Sequence, residues 1–114
     1  MDSVAAGSTT PQHIELVDGR WKKLSFAEQM GNIGSEVSRA FRWFNKNPVR
    51  FQASFERALE LMDLSISVNN DSGKLKELCR AREEFCDYFN GNEWGSEPIK
   101  IQRYYDQFAL LARN

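Results

Sequence analysis

The chain has few of the residues that catalytic and metal sites most often use. Its 114 residues include one histidine, His13, and two cysteines, Cys79 and Cys86. Zinc sites are built from closely spaced cysteines and histidines, and histidine is the commonest general base. The HExxH, GxSxG, GxGxxG and P-loop patterns are absent from the sequence. We therefore predict no catalytic residue, no metal site and no cofactor.

The sequence also lacks a strong charge excess and a long apolar run. Its 15 basic and 16 acidic side chains give a net charge of −1, whereas nucleic-acid-binding proteins usually carry a marked basic excess. No apolar run approaches the roughly 20 residues of a membrane span. The N-terminus has neither the basic start nor the apolar core of a secretory signal. These features favour a cytoplasmic protein that is outside the membrane and binds protein rather than nucleic acid.

The two cysteines fall seven positions apart in one predicted helix. A helix rises 1.5 Å per residue, so their Cα atoms should lie about 10 Å apart. A disulfide needs a separation below about 7 Å. We therefore expect Cys79 and Cys86 to be free thiols, packed as small core residues in a reducing compartment.

Four stretches have the apolar spacing of amphipathic helices. They cover approximately residues 25–44, 48–68, 74–89 and 98–112. Short links between helices of similar length favour neighbours that run in opposite directions. The sequence therefore predicts an all-α fold, an antiparallel up-and-down four-helix bundle over residues 25–113.

The N-terminal part has no helical spacing. We predict that residues 1–12, which are small and polar, form a disordered tail, and that residues 13–24 form a flexible arm. Within the arm, Asp18-Gly19 is typical of a two-residue hairpin turn between Ile14–Val17 and Arg20-Trp21. The alternative is an extended arm. In either case Trp21 is expected to pack on the bundle.

The first predicted helix carries three strips instead of the usual two faces. The apolar strip contains Phe26, Met30, Ile33, Val37, Ala40, Phe41 and Phe44. A strip of small residues contains Ala27, Gly31, Gly34 and Ser38. A polar strip contains Gln29, Asn32, Glu36, Arg39 and Trp43. We expect this helix to lie at the centre of the packing, with the small residues allowing one neighbour to come close.

The other helices add three expectations. More than half of the circumference of the second helix is apolar, so it should contact two neighbours or the second copy in a homodimer. The fourth helix should turn Ile101, Tyr104, Tyr105, Phe108, Leu111 and Ala112 inward. On the third helix, Arg82 lies at the middle of the apolar face, between Leu78 and Phe85.

Arg82 needs an acidic partner if it is buried, because an unpaired buried guanidinium costs several kcal/mol. Glu36 on the first helix is the best candidate, and the same network could include Gln29, Asn32 and Arg39. One interpretation is a buried ion pair that sets the helix register, in which case Arg82→Ala should destabilise strongly. A second is a pocket for a ligand or for a partner's side chain. The third is that Arg82 reaches solvent.

A basic patch is predicted where the first helix ends and the second begins. It consists of Arg39, Arg42, Trp43, Lys46 and Arg50. Cations around an aromatic ring can bind a phosphate backbone and stack a base. The simpler interpretation is that cations complement the dipole at a helix C-terminus.

Four sequence strings carry a resemblance to a known family. They are WKKLSFAEQMGNIGSEVSRAFRW, FERALELMDLSI, KELCRAREEFCDYF and YYDQFALLAR. Together they resemble a family of short, largely uncharacterised prokaryotic helical proteins, over Trp21 to Arg113. This resemblance implies no specific activity.

More loosely, the helix layout is similar to HEPN-type bundles, which occur beside nucleotidyltransferases or act as RNases. HEPN RNases carry an arginine followed four to six residues later by a histidine, and no histidine follows Arg80 or Arg82 here. We therefore expect a non-enzymatic helical bundle that acts through protein–protein interaction or oligomerisation. The alternative is a HEPN-like RNA- or nucleotide-linked component of a two-gene module.

Overall fold

The computed structural model describes residues 19–113, and this part of the chain is all-α. Its helices are α1 (Trp21–Lys23), α2 (Phe26–Trp43), α3 (Pro48–Val68), α4 (Ser72–Phe89) and α5 (Pro98–Arg113). Helices α2 to α5 correspond to the four predicted helices, and α1 is an additional short turn. Within residues 19–113, none of the helices has the length and apolar content that crossing a membrane requires.

The starts of the long helices follow their capping signals. At α2, the Ser25 hydroxyl accepts from the Glu28 backbone N–H at 3.0 Å, and the Glu28 carboxylate accepts from the Ser25 N–H at 2.8 Å. Asn47 caps α3 immediately before a proline, and Asp71 caps α4. Each cap satisfies a backbone donor that has no partner inside the helix. Serine, asparagine and aspartate are the residue types that favour this position, so the sequence itself carries signals for these helix starts.

The predicted hairpin is wrong for Arg20-Trp21, the part of it that the structure describes. Arg20 has helical dihedral angles, φ −60° and ψ −47°, and Trp21 begins α1. The hairpin's first strand, Ile14–Val17, and the predicted tail, residues 1–12, lie outside the described residues. Trp21 does pack on the long helices, since only 3% of it is exposed. Its tertiary contacts override a local turn signal, which is a weak preference by itself.

The core is formed by the facing sides of the long helices. Met30, Ile33 and Val37 of α2 are fully buried. They share one cluster with residues from every other helix, among them Trp21, Ala58, Leu61, Met62, Leu78, Phe85, Ile101 and Tyr105. Beside it lies an aromatic group in which ring centroids are 4.8–6.4 Å apart, formed by Phe41, Phe44, Phe51, Phe55, Phe85, Tyr88 and Phe89. The predicted apolar strip of α2 therefore does face the core.

The small residues of α2 let α5 come close. A Cβ atom added at Gly34 would lie 2.6 Å from the Cβ of Tyr105, and one added at Gly31 would lie 3.3 Å from the Cα of Ala109. Real Cβ contacts almost never come as close as the first distance. The predicted role of the small-residue strip is confirmed, and α5 is the neighbour that uses it.

The wide apolar face of α3 contacts neighbours inside the chain, which was the first of its two predicted alternatives, because α3 packs on α1, α2 and α4 and buries Leu61 and Leu64. Two other packing expectations need correction. Cys79 is exposed and Cys86 is only partly buried, so Cys79 is not a core residue. On α5, Leu111 and Ala112 are exposed and not turned inward, Leu111 to 59%, since the last turn of this helix extends past the core.

Candidate functional site

A cavity with both polar and apolar lining residues lies between α1, α2 and α3, with a volume of about 420 Å³. We call it the arginine cleft. It is lined by Arg20, Trp21, Leu24, Asn32, Ser35, Glu36, Arg39, Arg57 and Leu61. Pockets of roughly 300–1,000 Å³ are of the size that binds small molecules.

Three arginines line the arginine cleft among the described residues. They come from three different parts of the chain: Arg20 precedes α1, Arg39 lies on α2 and Arg57 lies on α3. Glu36 also lines the cleft, and its Oε2 accepts from Nη1 of Arg39 at 2.9 Å. Arg20 and Arg57 have interaction partners as well. The cleft is therefore lined by charged side chains that already have partners.

Helix α1 contributes Trp21 to the lining of this cleft and is held in place by hydrogen bonds. The Trp21 indole N–H donates to the Ser65 hydroxyl at 2.8 Å, and the Ser65 hydroxyl donates to the Leu61 carbonyl at 2.8 Å. Gln29 donates from Nε2 to the Trp21 carbonyl at 3.1 Å and accepts at Oε1 from Asn69 at 2.9 Å. These bonds join α1 to both α2 and α3. They fix the backbone next to Arg20.

The residues of the predicted polar network do not form one network and lie in three separate places in the structure. Gln29 is 3% exposed and serves as an interhelical hydrogen-bonding residue. Asn32, Glu36 and Arg39 line the arginine cleft. Arg82 is elsewhere, between α3 and α4. The predicted Glu36–Arg82 pair does not form.

Arg82 pairs instead with Asp63 of α3. Its Nε donates to Oδ1 at 2.8 Å and its Nη2 to Oδ2 at 3.3 Å. The Arg82 side chain is 34% exposed and that of Asp63 is 58% exposed, so this is a surface pair. The hydrogen bond to Asp63 raises the pKa of Arg82 above its ordinary value. Of the three interpretations, the one in which Arg82 reaches solvent fits this geometry, because its long stem carries the charge past the apolar face.

The thiol of Cys86 lies close to Arg82, but burial affects its pKa more than the charge of Arg82 does. Nη1 of Arg82 lies 4.0 Å from the Cys86 sulfur. Burial raises the pKa of the Cys86 thiol, and the positive charge of Arg82 offsets this only in part. A reactive cysteine needs a lowered pKa, so Cys86 is not activated as a nucleophile.

The basic patch lies at the junction of α2 and α3. The guanidinium carbon of Arg50 is 4.7 Å from the centroid of the Trp43 ring. Arg39, Arg42 and Lys46 are exposed on the same end of α2. One face of the Trp43 ring is thus already occupied by a cation, which leaves less of it for stacking a base.

A second cavity, of about 300 Å³, lies between α4 and α5. It is lined by Glu77, Arg80, Ala81, Glu84 and Tyr104. The Tyr104 hydroxyl donates to Glu77 at 2.7 Å, and the Ser96 hydroxyl donates to Glu84 at 2.7 Å. Burial raises the pKa of Tyr104, and the bond to Glu77 adds to this effect. The phenol stays neutral and joins the two helices.

Sequence reasoning missed two of the arginines of the cleft. Arg20 lay in the presumed arm, where no helical spacing assigned it to a face. Arg57 offered a signal, because it interrupts the otherwise apolar stripe of Leu61, Leu64 and Val68 on α3. A charged residue within an apolar stripe often borders a cavity.

Comparisons with protein families, with curated proteins and with solved structures give no match to this chain. The resemblances described above, including the HEPN-type layout, therefore stay predictions. Residues 19–113 contain no group of three or more histidine, cysteine, aspartate or glutamate side chains placed to hold a metal ion.

Proposed function

We propose that the protein is an antiparallel up-and-down four-helix bundle that acts without catalysis by binding another protein chain. The partner we propose is a second copy of the same chain. The single observation that carries this proposal is the outward face of α5, which combines exposed aliphatic residues with opposite charges. The free thiols suit a reducing compartment, the cytoplasm.

The order of contacts along the helices supports the antiparallel arrangement. Between α2 and α3, Gln29 contacts Asn69 near one end and Trp43 contacts Arg50 near the other. Between α4 and α5, an early contact joins Glu77 to Tyr104, and a later residue of α4, Glu84, bonds to Ser96 just before α5. In each pair, residues further along one helix meet residues earlier along the other.

The outward face of α5 is formed by Ile99, Arg103, Asp106 and Leu110, which are all exposed. Their spacing of four, three and four residues keeps them on one side of a helix. Ile99 is 59% exposed and Leu110 is 60% exposed. Ile101 and Tyr105, on the opposite side of α5, are buried in the core. The aliphatic residues lie at the two ends of this face and the charges lie in the middle.

This face is complementary to itself under two-fold symmetry. A symmetric dimer brings the same patch of each copy together. If two α5 helices pair in opposite directions about the midpoint of Arg103 and Asp106, each Ile99 meets the other copy's Leu110. Each Arg103 then meets the other copy's Asp106. One helix pair is a small interface compared with the usual 1,200–2,000 Å² or so, so the dimer should form in the micromolar range or above.

Charge reversal tests this pairing. Arg103→Glu alone and Asp106→Arg alone each place like charges against each other in the dimer, so each should weaken self-association. A mixture of the two variants restores opposite charges at both contacts and should form a mixed dimer. Sedimentation over a range of concentrations, at low salt, measures all three samples.

Two results would overturn the proposal. One is a parent chain that stays monomeric at the highest soluble concentration. The other is a parent dimer that neither single reversal weakens. The double variant Arg103→Glu/Asp106→Arg serves as the matched control, because it keeps the net charge of the parent and should dimerise like the parent.

The HEPN-like alternative is favoured by one observation, the cluster of cations beside Trp43. In this second proposal the basic patch would bind the phosphates of RNA. Binding of a fluorescent single-stranded RNA should then fall steeply with salt. The double variant Arg42→Gln/Lys46→Gln should weaken it. RNA binding that this double variant leaves unchanged would reject the patch.

A further inference from the structure

We propose that the loop between α4 and α5, residues 90–97, binds a basic segment of a partner protein. In the complex a lysine or arginine side chain of the partner lies on the exposed ring of Trp94. We call residues 90–97 the Trp94 loop. Its surface and its partner differ from the outward face of α5 and the second copy proposed above, so the two proposals are tested by different measurements.

The Trp94 ring is a large apolar surface that is left open. It is 51% exposed, and within residues 19–113 its side chain makes no ring contact, cation contact or hydrogen bond. The other two tryptophans have such contacts, Trp21 with Ser65 and Trp43 with Arg50. Exposed tryptophans are among the residues that contribute most to binding in protein interfaces. Trp94 is therefore a candidate anchor for a partner.

The Trp94 loop is held in one conformation by its own hydrogen bonds. The Asp87 carboxylate accepts from the backbone N–H groups of Glu93 at 3.2 Å and Trp94 at 3.0 Å. The Asn92 side chain donates to the Ser96 carbonyl at 3.1 Å and accepts from the Ser96 N–H at 2.9 Å. A loop that is already ordered loses little conformational entropy on binding. This favours recognition by the loop as it stands.

The charge around the loop selects a basic partner. Residues 83–97 include no lysine or arginine and five acidic residues, Glu83, Glu84, Asp87, Glu93 and Glu97. Among the described residues only Glu97 of these five forms an ion pair, with Lys100 at 3.7 Å. The last turn of α4 contains no basic residue, although cations stabilise the negative end of a helix dipole. A cation from a partner would therefore be attracted to this end of α4.

The face of a tryptophan ring attracts cations more strongly than other aromatic side chains do. The chain itself contains one example, since the guanidinium carbon of Arg50 lies 4.7 Å from the centroid of the Trp43 ring. Glu93 is adjacent to Trp94 and its carboxylate has no partner among the described residues. A lysine or arginine on the Trp94 ring would thus have a free carboxylate nearby.

The second cavity, between α4 and α5, begins beside the Trp94 loop. Glu84 lines it and accepts from the hydroxyl of Ser96, a residue of the loop, at 2.7 Å. Two carboxylates, of Glu77 and Glu84, and one guanidinium, of Arg80, give its lining a net charge of −1. Within the described chain both carboxylates accept only from neutral hydroxyls. The cavity, of about 300 Å³, therefore has room for a second basic side chain of the same segment.

The three tryptophans allow binding to be located. A nine-residue peptide of alternating lysine and serine is titrated at low salt into the full-length chain labelled with ¹⁵N. We expect a saturable shift of the Trp94 indole N–H signal and smaller shifts of the Trp21 and Trp43 signals. Added salt should weaken the binding, because the attracting charges are exposed and screened. The same peptide with glutamate in place of lysine should not bind.

Two variants test the ring and the charge, with the peptide labelled by fluorescein and its anisotropy measured. Trp94→Leu keeps an apolar side chain but removes the ring, and should weaken binding about two- to fivefold. Glu93→Lys places a cation beside the ring and should weaken binding about fivefold or more. Glu56→Lys is the matched control, because Glu56 is exposed on α3, and should change the affinity by less than about twofold. Melting temperatures show that each variant is folded.

Several outcomes would overturn the proposal. It fails if Trp94 shows no saturable shift, or if Trp94→Leu binds the peptide as tightly as the parent does. Equal losses from Glu93→Lys and Glu56→Lys would mean that the peptide responds only to net charge. If the Trp94 signal moves when the chain alone is concentrated, and Arg42→Gln/Lys46→Gln abolishes that shift, the occupant is the basic patch of a second copy and not a basic partner protein.

Discussion

At the scale of single residues, Trp21 shows how one side chain can organise the packing of a short segment. It precedes α2 by only a few positions, and sequence spacing assigned it to an arm. In the structure it is 3% exposed, and its indole N–H donates to Ser65. Because Ser65 is fully buried, the bond joins two groups that have no access to water. A buried polar group that loses its hydrogen-bond partner lowers the stability of the folded protein.

Ser65→Ala should therefore destabilise the protein through Trp21. It leaves the buried indole N–H without an acceptor, and an unsatisfied buried donor costs about 1–3 kcal/mol. Ser67→Ala is the matched control two positions away on α3, where the side chain is exposed, and should stay within about 0.5 kcal/mol of the parent. Urea unfolding measures both free energies. Equal values for the two variants would mean that the Trp21 bond adds nothing to stability.

Arg82 gives a residue-scale prediction that reverses the expectation from sequence. Its partner, Asp63, is more than half exposed, and exposed ion pairs contribute only about 0.2–1 kcal/mol. Arg82→Gln and Asp63→Asn should each lower the free energy of unfolding by less than about 1 kcal/mol. A double-mutant cycle measures their coupling, with Arg80→Gln as the control. A loss of several kcal/mol from Arg82→Gln would mean that the side chain is buried after all.

At the scale of whole helices, α2 was the most predictable element. Its capping box, its apolar strip and its small-residue strip were each visible in the spacing of residues 25–44, because a helix repeats its geometry every few residues. What spacing could not supply was the identity of the neighbour. Three residues of the polar strip, Asn32, Glu36 and Arg39, line the arginine cleft beside α1 and α3 and do not contact Arg82 of α4. Which helix covers a strip depends on tertiary packing, which local periodicity does not contain.

The close approach of α2 and α5 predicts different effects of the same substitution at two glycines. Replacement by alanine gains about 1 kcal/mol of helix propensity at either position. At Gly34 the new methyl would lie 2.6 Å from Tyr105, and overpacking of this kind costs about 1–3 kcal/mol or more. We expect Gly34→Ala to be destabilising by up to about 2 kcal/mol net.

Gly31→Ala is the internal comparison. Its nearest contact, at 3.3 Å from Ala109, needs a shift of only a few tenths of an ångström, so its effect should be close to zero. Thermal unfolding followed by circular dichroism ranks the two variants. If Gly34→Ala were as stable as Gly31→Ala, the two helices would be further apart than described.

For the molecule as a whole, helical class and helix boundaries followed from sequence, but the candidate site did not. The arginine cleft combines residues from the segment before α1, from α2 and from α3, whose side chains converge only after folding. Asn32, Glu36 and Arg39 were selected correctly as a polar strip. Arg20 and Arg57 were not, since no spacing rule links positions that distant. The same limit applies to the outward face of α5, where two-fold complementarity becomes visible only once Ile101 and Tyr105 are known to face the core.

The last prediction concerns the stability of the whole molecule in alkali. Burial raises the pKa of Tyr104 and of Tyr105 above the ordinary value of 10.0. Between the unfolded and folded pKa values the folded state therefore holds more protons than the unfolded state. In this range stability falls as pH rises. The stabilisation is complete below about pH 10 and is lost progressively above it.

We expect the free energy of unfolding to fall as the pH rises above about 10, and to fall less steeply in Tyr105→Phe. Tyr105 is only 2% exposed. Its hydroxyl is therefore shielded from water in the folded state and resists ionisation there. Urea unfolding at a series of pH values gives the slope, and fluorescence confirms that each sample starts folded. If the free energy of unfolding fell equally steeply with pH in the parent and in Tyr105→Phe, ionisation of Tyr105 would not contribute to the loss of stability. If the prediction holds, alkali unfolds the protein by ionising the phenols that pack α5 against its neighbours.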